Sequence, residues 1–112
     1  MKDIVSIRLN HEFKRVYGRG RSMVHRLLVT YCLKNRRGVT RVGITTGKKI
    51  GCAVRRNRAR RLIREALRTQ NTPLPPGYDL IFVARVKTTK STMPQVAAVM
   101  KEQLSRLFSE KG

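Results

Sequence analysis

Apolar and polar positions alternate in different periods along the chain, and the changes of period mark out its elements. Phe13, Val16 and Tyr17 stand at i, i+3 and i+4, which predicts a short helix over 10–16. Asn10 is the expected N-cap, and Gly18 and Gly20 are expected to break the helix. Over 27–33 the period changes to two. Leu27, Val29, Tyr31 and Leu33 face one way, and Leu28, Thr30 and Cys32 face the other, as in a strand. Residues 21–25 add a short strand before it. Asn35, Arg36, Arg37 and Gly38 supply turn chemistry, so 39–46 reads as the antiparallel return strand.

Within 48–68 the helical period returns. Ala59, Leu62, Ile63, Ala66 and Leu67 form one apolar stripe, while Asn57, Arg61, Arg64 and Arg68 run along the opposite face. Lys48 and Lys49 precede this helix, and Gly47 and Gly51 are expected to permit a tight bend. The proline-rich stretch 73–77 cannot continue a helix. The run 78–86, with Leu80, Ile81, Phe82, Val83 and Ala84 consecutive, fits a central strand covered on both faces. Ser91 or Thr92 caps a last helix with Pro94 in its first turn. Val96, Met100, Leu104 and Leu107 are its buried stripe, with Val99 and Phe108 beside them. The expected class is α+β: a sheet of about four mixed strands packed with three helices, in the order α-β-β-β-α-β-α.

At 112 residues with 40% apolar content, the chain suits a single domain spanning 1–112. Charge changes the picture most. There are 26 Lys and Arg against 6 Asp and Glu, a net charge of +20. Solubility asks for far less, roughly 2–8 in a small domain, so an acidic partner is expected, and nucleic acid is the commonest. Seven arginines (Arg55, Arg56, Arg58, Arg60, Arg61, Arg64 and Arg68) fall within fourteen residues, offset there only by Glu65. Such like charges repel along a helix, a cost that phosphates opposite them would remove. Arginine's planar fork grips phosphate bidentately and stacks on bases. The chain is therefore expected to be an RNA-binding domain.

Other chemistries find little support. No window reaches the roughly 18 apolar residues of a spanning helix, and the first ten residues lack a secretory pattern, so a cytoplasmic location without membrane contact is expected. Cys32 and Cys52 are far apart and outside any CxxC pattern, and His11 and His25 stand alone. A zinc site is not expected, and a reducing compartment is the simpler reading. The phosphate-binding frame GxxxxGK[ST] is absent. The acids Asp3, Glu12, Glu65, Asp79, Glu102 and Glu110 are too scattered to suggest two-metal cleavage, so no catalytic residue is assigned to the protein.

The run 48–64 carries Lys48, Lys49, Gly51, Ala53, Val54, Arg56, Asn57, Arg60, Arg61 and Arg64. It resembles the RNR signature of the bacterial ribonuclease P protein family, K-K-x-G-x-A-V-x-R-N-x-x-K/R-R-x-x-R. Phe13, Val16, Tyr17 and Gly20 resemble that family's F-x-x-V-F/Y-x-x-G. Residues 41–44 and 78–85 resemble the strands on either side of the signature. The resemblance implies a protein subunit that works with a catalytic RNA to remove the 5′ leader of precursor tRNA. The RNA would carry the chemistry and hold most of the Mg²⁺. Arg56, Asn57, Arg60, Arg61 and Arg64 would face that RNA, within a contact surface of Lys48, Lys49, Arg55, Arg58 and Arg68. Phe13, Tyr17 and Tyr31 would line a cleft for the single-stranded leader, although at helical spacing Phe13 and Tyr17 also read as core contacts. No obligate protein partner is expected. The family fold, like ribosomal protein S5 domain 2, implies a left-handed β-α-β crossover around the arginine helix, against the usual hand. Gly47 and Cys52 depart from the family's frequent Ser and Asn, which argues against a side-chain cap there. The competing readings are a ribosomal protein, an autonomous ribonuclease and a membrane-active basic protein.

Overall fold

Strand Tyr78–Ala84 organises the molecule because it is apolar on both faces. The structure, a computed structural model, describes residues 5–71 and 74–109; Asp3, Pro73 and Glu110 lie outside them. The strands are β1 (Val5–Ser6), β2 (Arg21–Val24), β3 (Leu28–Lys34), β4 (Arg41–Thr46) and β5 (Tyr78–Ala84). The helices are α1 (Asn10–Arg19), α2 (Ala53–Arg68) and α3 (Met93–Ser109). The five strands form one mixed sheet in the order β1-β4-β5-β3-β2, so β5 is central. Its Leu80, Phe82 and Ala84 join Leu28, Cys32 and Val42 in the main core beneath α2 and α3. Ile81 and Val83 turn to the other face, where Ile7, Phe13 and Val16 form a smaller cluster. No helix among the described residues is long and apolar enough to cross a membrane.

The expected class and all three helices are present, with corrections in detail. The sheet has five strands, because Val5–Ser6 pairs in parallel with β4; two residues carry no readable period. β4 begins at Arg41 and does not pair with β3. Instead β5 inserts between them, antiparallel to β3 and parallel to β4. Sequence neighbours favour a hairpin, but β5 takes the central place with a strand paired along each edge, β4 on one side and β3 on the other, and the helices cover its two faces. The crossover from β4 to β5 runs through α2.

Helix α1 extends through Gly18 to Arg19, and Leu9, not Asn10, occupies its cap position without a side-chain bond. Gly20 ends it for a steric reason. A Cβ there would lie 2.7 Å from the Val16 carbonyl oxygen and 2.8 Å from that of Cys32. α2 begins only at Ala53, after a 3-10 turn at Lys48–Ile50. Gly51 has φ +113°, a conformation that needs glycine, whereas Gly47 at φ −80° does not. Thr92 forms a capping box with Gln95: the Thr92 N–H donates to Oε1 at 2.9 Å and the Gln95 N–H to Oγ1 at 3.4 Å. Ser91 is not the cap; its hydroxyl donates to the Lys87 carbonyl.

Polar groups inside the fold are paired. Gln103 accepts from the Thr30 hydroxyl at 2.6 Å and donates to the Leu28 carbonyl at 2.9 Å, which ties α3 to β3. At the opposite end of the sheet Arg41 and Asp79 are register partners. Arg41 Nε donates to Asp79 Oδ1 at 3.0 Å and Nη2 to Oδ2 at 2.8 Å. Asn35 Nδ2 donates to the same Oδ1 at 2.7 Å. Arg41 Nη1 reaches Glu12 Oε2 at 2.8 Å, which docks α1 onto the sheet. Burial pushes the Asp79 carboxyl up, but the hydrogen bonds from Arg41 and Asn35 outweigh it and hold the group below the usual carboxylate range. The Arg41 hydrogen bond lowers Glu12 likewise.

Removing one partner of this pair strands the other. Arg41→Ala is expected to cost about 3–5 kcal/mol, read as a loss of Tm and of the urea midpoint. Both carboxylates are depressed in the folded chain, so their contribution is full above the unfolded value of about 4 and is lost as pH falls through the folded values. Tm should therefore stay nearly level from neutral pH to about 5 and fall below about 4. Asp79→Asn should flatten that acid limb; an unchanged limb would remove Asp79 from the account.

Candidate RNA-binding surfaces

Two surfaces emerge, centred on opposite sides of the sheet, with Lys48 and Lys49 at the border between them. The first is α2. Its stripe Ala59, Ile63, Ala66 and Leu67 is buried in the main core, as its spacing predicted. Asn57, Arg61, Arg64 and Arg68 are exposed. The arginines are not equivalent. Arg58 Nε donates to the Thr89 carbonyl at 3.0 Å. Arg60 reaches Thr46 Oγ1 at 3.1 Å and Asn57 Oδ1 at 3.3 Å. Arg68 pairs with Glu65 at 3.1 Å. Arg56, Arg61 and Arg64 have no side-chain hydrogen-bond or ion-pair partner among the described residues, so their guanidinium groups are available to a ligand. Arg60, Arg64 and Arg68, spaced i, i+4 and i+8, wall a groove of about 430 Å³ against Ser6, Val42 and Ile44. The sequence pattern identified the outward row but could not show the edge of β4 and β1 facing it.

Lys48 and Lys49 are exposed in the turn before α2. Cys52 stands at the α2 cap position with no side-chain cap bond, as its replacement of a polar residue implied. The Arg55 backbone N–H holds the exposed Cys52 thiol below its ordinary value, and burial pushes Cys32 up to about 11. Both cysteines are free.

The second surface follows from strand register. On the α1 side of the sheet, Gly43, Ile81 and Tyr31 form one row, and Thr45, Val83, Val29 and Val24 the next. α1 lies over the first row. Phe13 sits so close to Gly43 that a Cβ there would be 2.7 Å from its ring. Tyr17, 39% exposed, donates its hydroxyl to Thr45 Oγ1 at 3.4 Å, and its ring meets Tyr31 edge-on at 4.9 Å. Beyond that point the valine row forms the floor of a cleft of about 770 Å³, with Tyr31 in its lining and Arg26, Lys48, Lys49, Arg85 and Lys87 around it. Of the three aromatic residues expected in a cleft, Tyr31 lines it, Tyr17 stands at its margin, and Phe13 belongs to the core beneath α1. The floor valines and the basic residues Arg26, Arg85 and Lys87 were not singled out from sequence. Alternation along β3 and β5 was the available signal, but it does not say which face is left uncovered.

Each acidic side chain among the described residues is paired with an arginine. Glu12 and Asp79 are held by Arg41, Glu65 by Arg68 and Glu102 by Arg106. Among the described residues no three His, Cys, Asp or Glu side chains cluster.

This arrangement has close counterparts. The family model described as Ribonuclease P matches residues 1–108. A ribonuclease P protein component from Clostridioides difficile is 40% identical over 101 residues, covering 89% of each chain. One from Alkaliphilus oremlandii is 36% identical over 107 residues, covering 96% of this chain and 94% of its own. The solved RNase P protein of Staphylococcus aureus superposes with a TM-score of 0.80 at 30% identity, over 93% of this chain and 95% of that one. A mutant of it described as defective in mRNA degradation activity gives 0.79 at 31% identity, over 90% and 86% of the two chains. With sequence, signature and fold in agreement, the chain belongs to the ribonuclease P protein family, the protein components of the ribonucleoprotein endoribonuclease that matures the 5′ end of tRNA.

Proposed function

We propose that α2, with Lys48 and Lys49, binds the catalytic RNA of ribonuclease P, while the valine-floored cleft binds the single-stranded 5′ leader of precursor tRNA, in the cytoplasm. One observation carries this reading: unpaired arginines on α2 and an apolar cleft with basic surroundings lie on opposite faces of one sheet. A guanidinium row suits a structured phosphate backbone. An apolar floor with an exposed tyrosine edge suits unstacked bases, which it accepts with little sequence preference. A chain with both can hold ribozyme and substrate together.

The described carboxylates are all engaged by arginines. They do not fit a protein-held Mg²⁺, so the ion is assigned mainly to the RNA, and this chain contributes binding and orientation.

Reconstitution tests the whole reading. Purified protein mixed with a bacterial ribonuclease P RNA at low Mg²⁺ should cleave precursor tRNA at the mature 5′ end, and neither component alone should do so. Cleavage by the protein alone would establish an autonomous ribonuclease instead. Arg61→Ala with Arg64→Ala should weaken RNA-subunit binding about tenfold or more and flatten the log–log salt slope by about two; an unchanged slope would take these side chains off the phosphates. Tyr31→Ala should weaken leader-bearing precursor by about 1–3 kcal/mol relative to mature tRNA. Equal loss on both would return Tyr31 to a packing role.

A further inference from the structure

Helix α1 has a third face that neither surface uses. Phe13 and Val16 point into the sheet, Tyr17 turns to Tyr31, and Glu12 is held by Arg41 and Arg37. His11, Lys14, Arg15, Gly18 and Arg19 remain, all exposed. Lys14, Arg15 and Arg19 have no side-chain hydrogen-bond or ion-pair partner among the described residues. Arg19 lies in the last turn, where the helix dipole favours a cation. Lys14 and Arg15 sit mid-helix, where it does not. Arg15 stands three residues after Glu12, but that carboxylate is turned away to Arg41, and Arg15 and Arg19 repel at i, i+4.

Gly18 is the second observation. Glycine inside a helix is unfavourable relative to alanine, so a helical glycine needs a reason. At Gly20, just past α1, and at Gly43, in β4, the fold itself requires glycine, since a Cβ would collide with the Cys32 carbonyl or with the Phe13 ring. At Gly18 a Cβ would meet nothing within 4 Å, and φ is not positive. The folded chain does not require this absence of a side chain. A bare helix surface lets another backbone approach closely, and here it lies one turn from Lys14 and beside Tyr17 at the margin of the cleft.

We propose that the outer face of α1 carries the upstream part of the leader RNA, its sugar–phosphate backbone passing over Gly18 with phosphates on Lys14 and Arg15. This rests on the reading of the cleft as the leader site. Continuity through Tyr17 assigns the face to the leader and not to the catalytic RNA, because α2 packs on the opposite side of the sheet. The protein then holds a long leader in the cleft and again, past Tyr17, on the outer face of α1.

The test uses the reconstituted holoenzyme with two precursors, one whose leader is short enough to end within the cleft and one with a leader several times longer. Gly18→Ala should raise Tm by a few degrees, because it removes only the helix penalty. The same change should weaken the long-leader precursor about threefold or more, and the bulkier Gly18→Gln should weaken it further. Lys14→Gln with Arg15→Gln should flatten the long-leader salt slope by about one or two. Short-leader affinity and assembly with the RNA subunit should not change. The proposal is overturned if the ratio of long- to short-leader affinity is unaltered, if Gly18→Ala lowers Tm, or if these variants impair RNA-subunit assembly. Failure of the cleft reading looks different: Tyr31→Ala would then affect leader-bearing precursor and mature tRNA equally.

Discussion

The bidentate pair between Arg41 and Asp79 is the constraint on which the arrangement depends. The two residues face each other at the start of β4 and β5, where a parallel register has no hairpin to define it. A one-residue slip would part the two charges and turn every β5 side chain to the wrong face. Both ions are buried, so neither tolerates the loss of its partner. The same guanidinium reaches Glu12, and the Asp79 carboxylate also accepts from Asn35. One ion pair thereby sets the strand register, closes the loop between β3 and β4, and docks α1, which covers part of the sheet face next to the cleft.

This use of acids has a consequence for the surface. The chain has six acidic residues against twenty-six basic ones, and two of the six are committed inside the Arg41 network. Glu65 and Glu102 pair within their own helices. Little negative charge is left to neutralise α2, the turn before it or the outer side of α1. Self-repulsion of that magnitude disfavours the isolated chain. Phosphates set against these surfaces would relieve it by supplying the missing negative charge.

A single sheet separates the arginine face of α2 from the valine-floored cleft. α2 and α3 cover one face almost completely, so the arginines project from a rigid, well-packed layer. α1 is ten residues long and covers only part of the other face. The uncovered valine row is a defect in a folding sense, since apolar surface is left in water. It is what a site for unstacked bases requires.

Much of this was legible in the sequence, and the division is physical. Periodicity identified three helices and the main strands, because one buried stripe or alternate face leaves a local trace. The apolar run of 80–84 showed a central strand, and the arginine spacing of α2 with its signature residues showed a helix with one buried stripe and one basic face, and pointed to the family. What was not legible depended on distant residues meeting. β5 lies between the two strands expected to form a hairpin, because which strands pair along its two edges is decided by contacts between distant segments. Asp79, Arg41 and Gln103 read as ordinary polar residues until the fold buried them together. Phe13 and Tyr17 share one helical period, yet Gly43 lets Phe13 sink into the sheet while Thr45 holds Tyr17 at the rim. Local sequence determined which elements form and which charges they carry. Long-range burial decided which faces stay open, because a side chain's neighbours across the sheet leave no mark on its own neighbours in the chain.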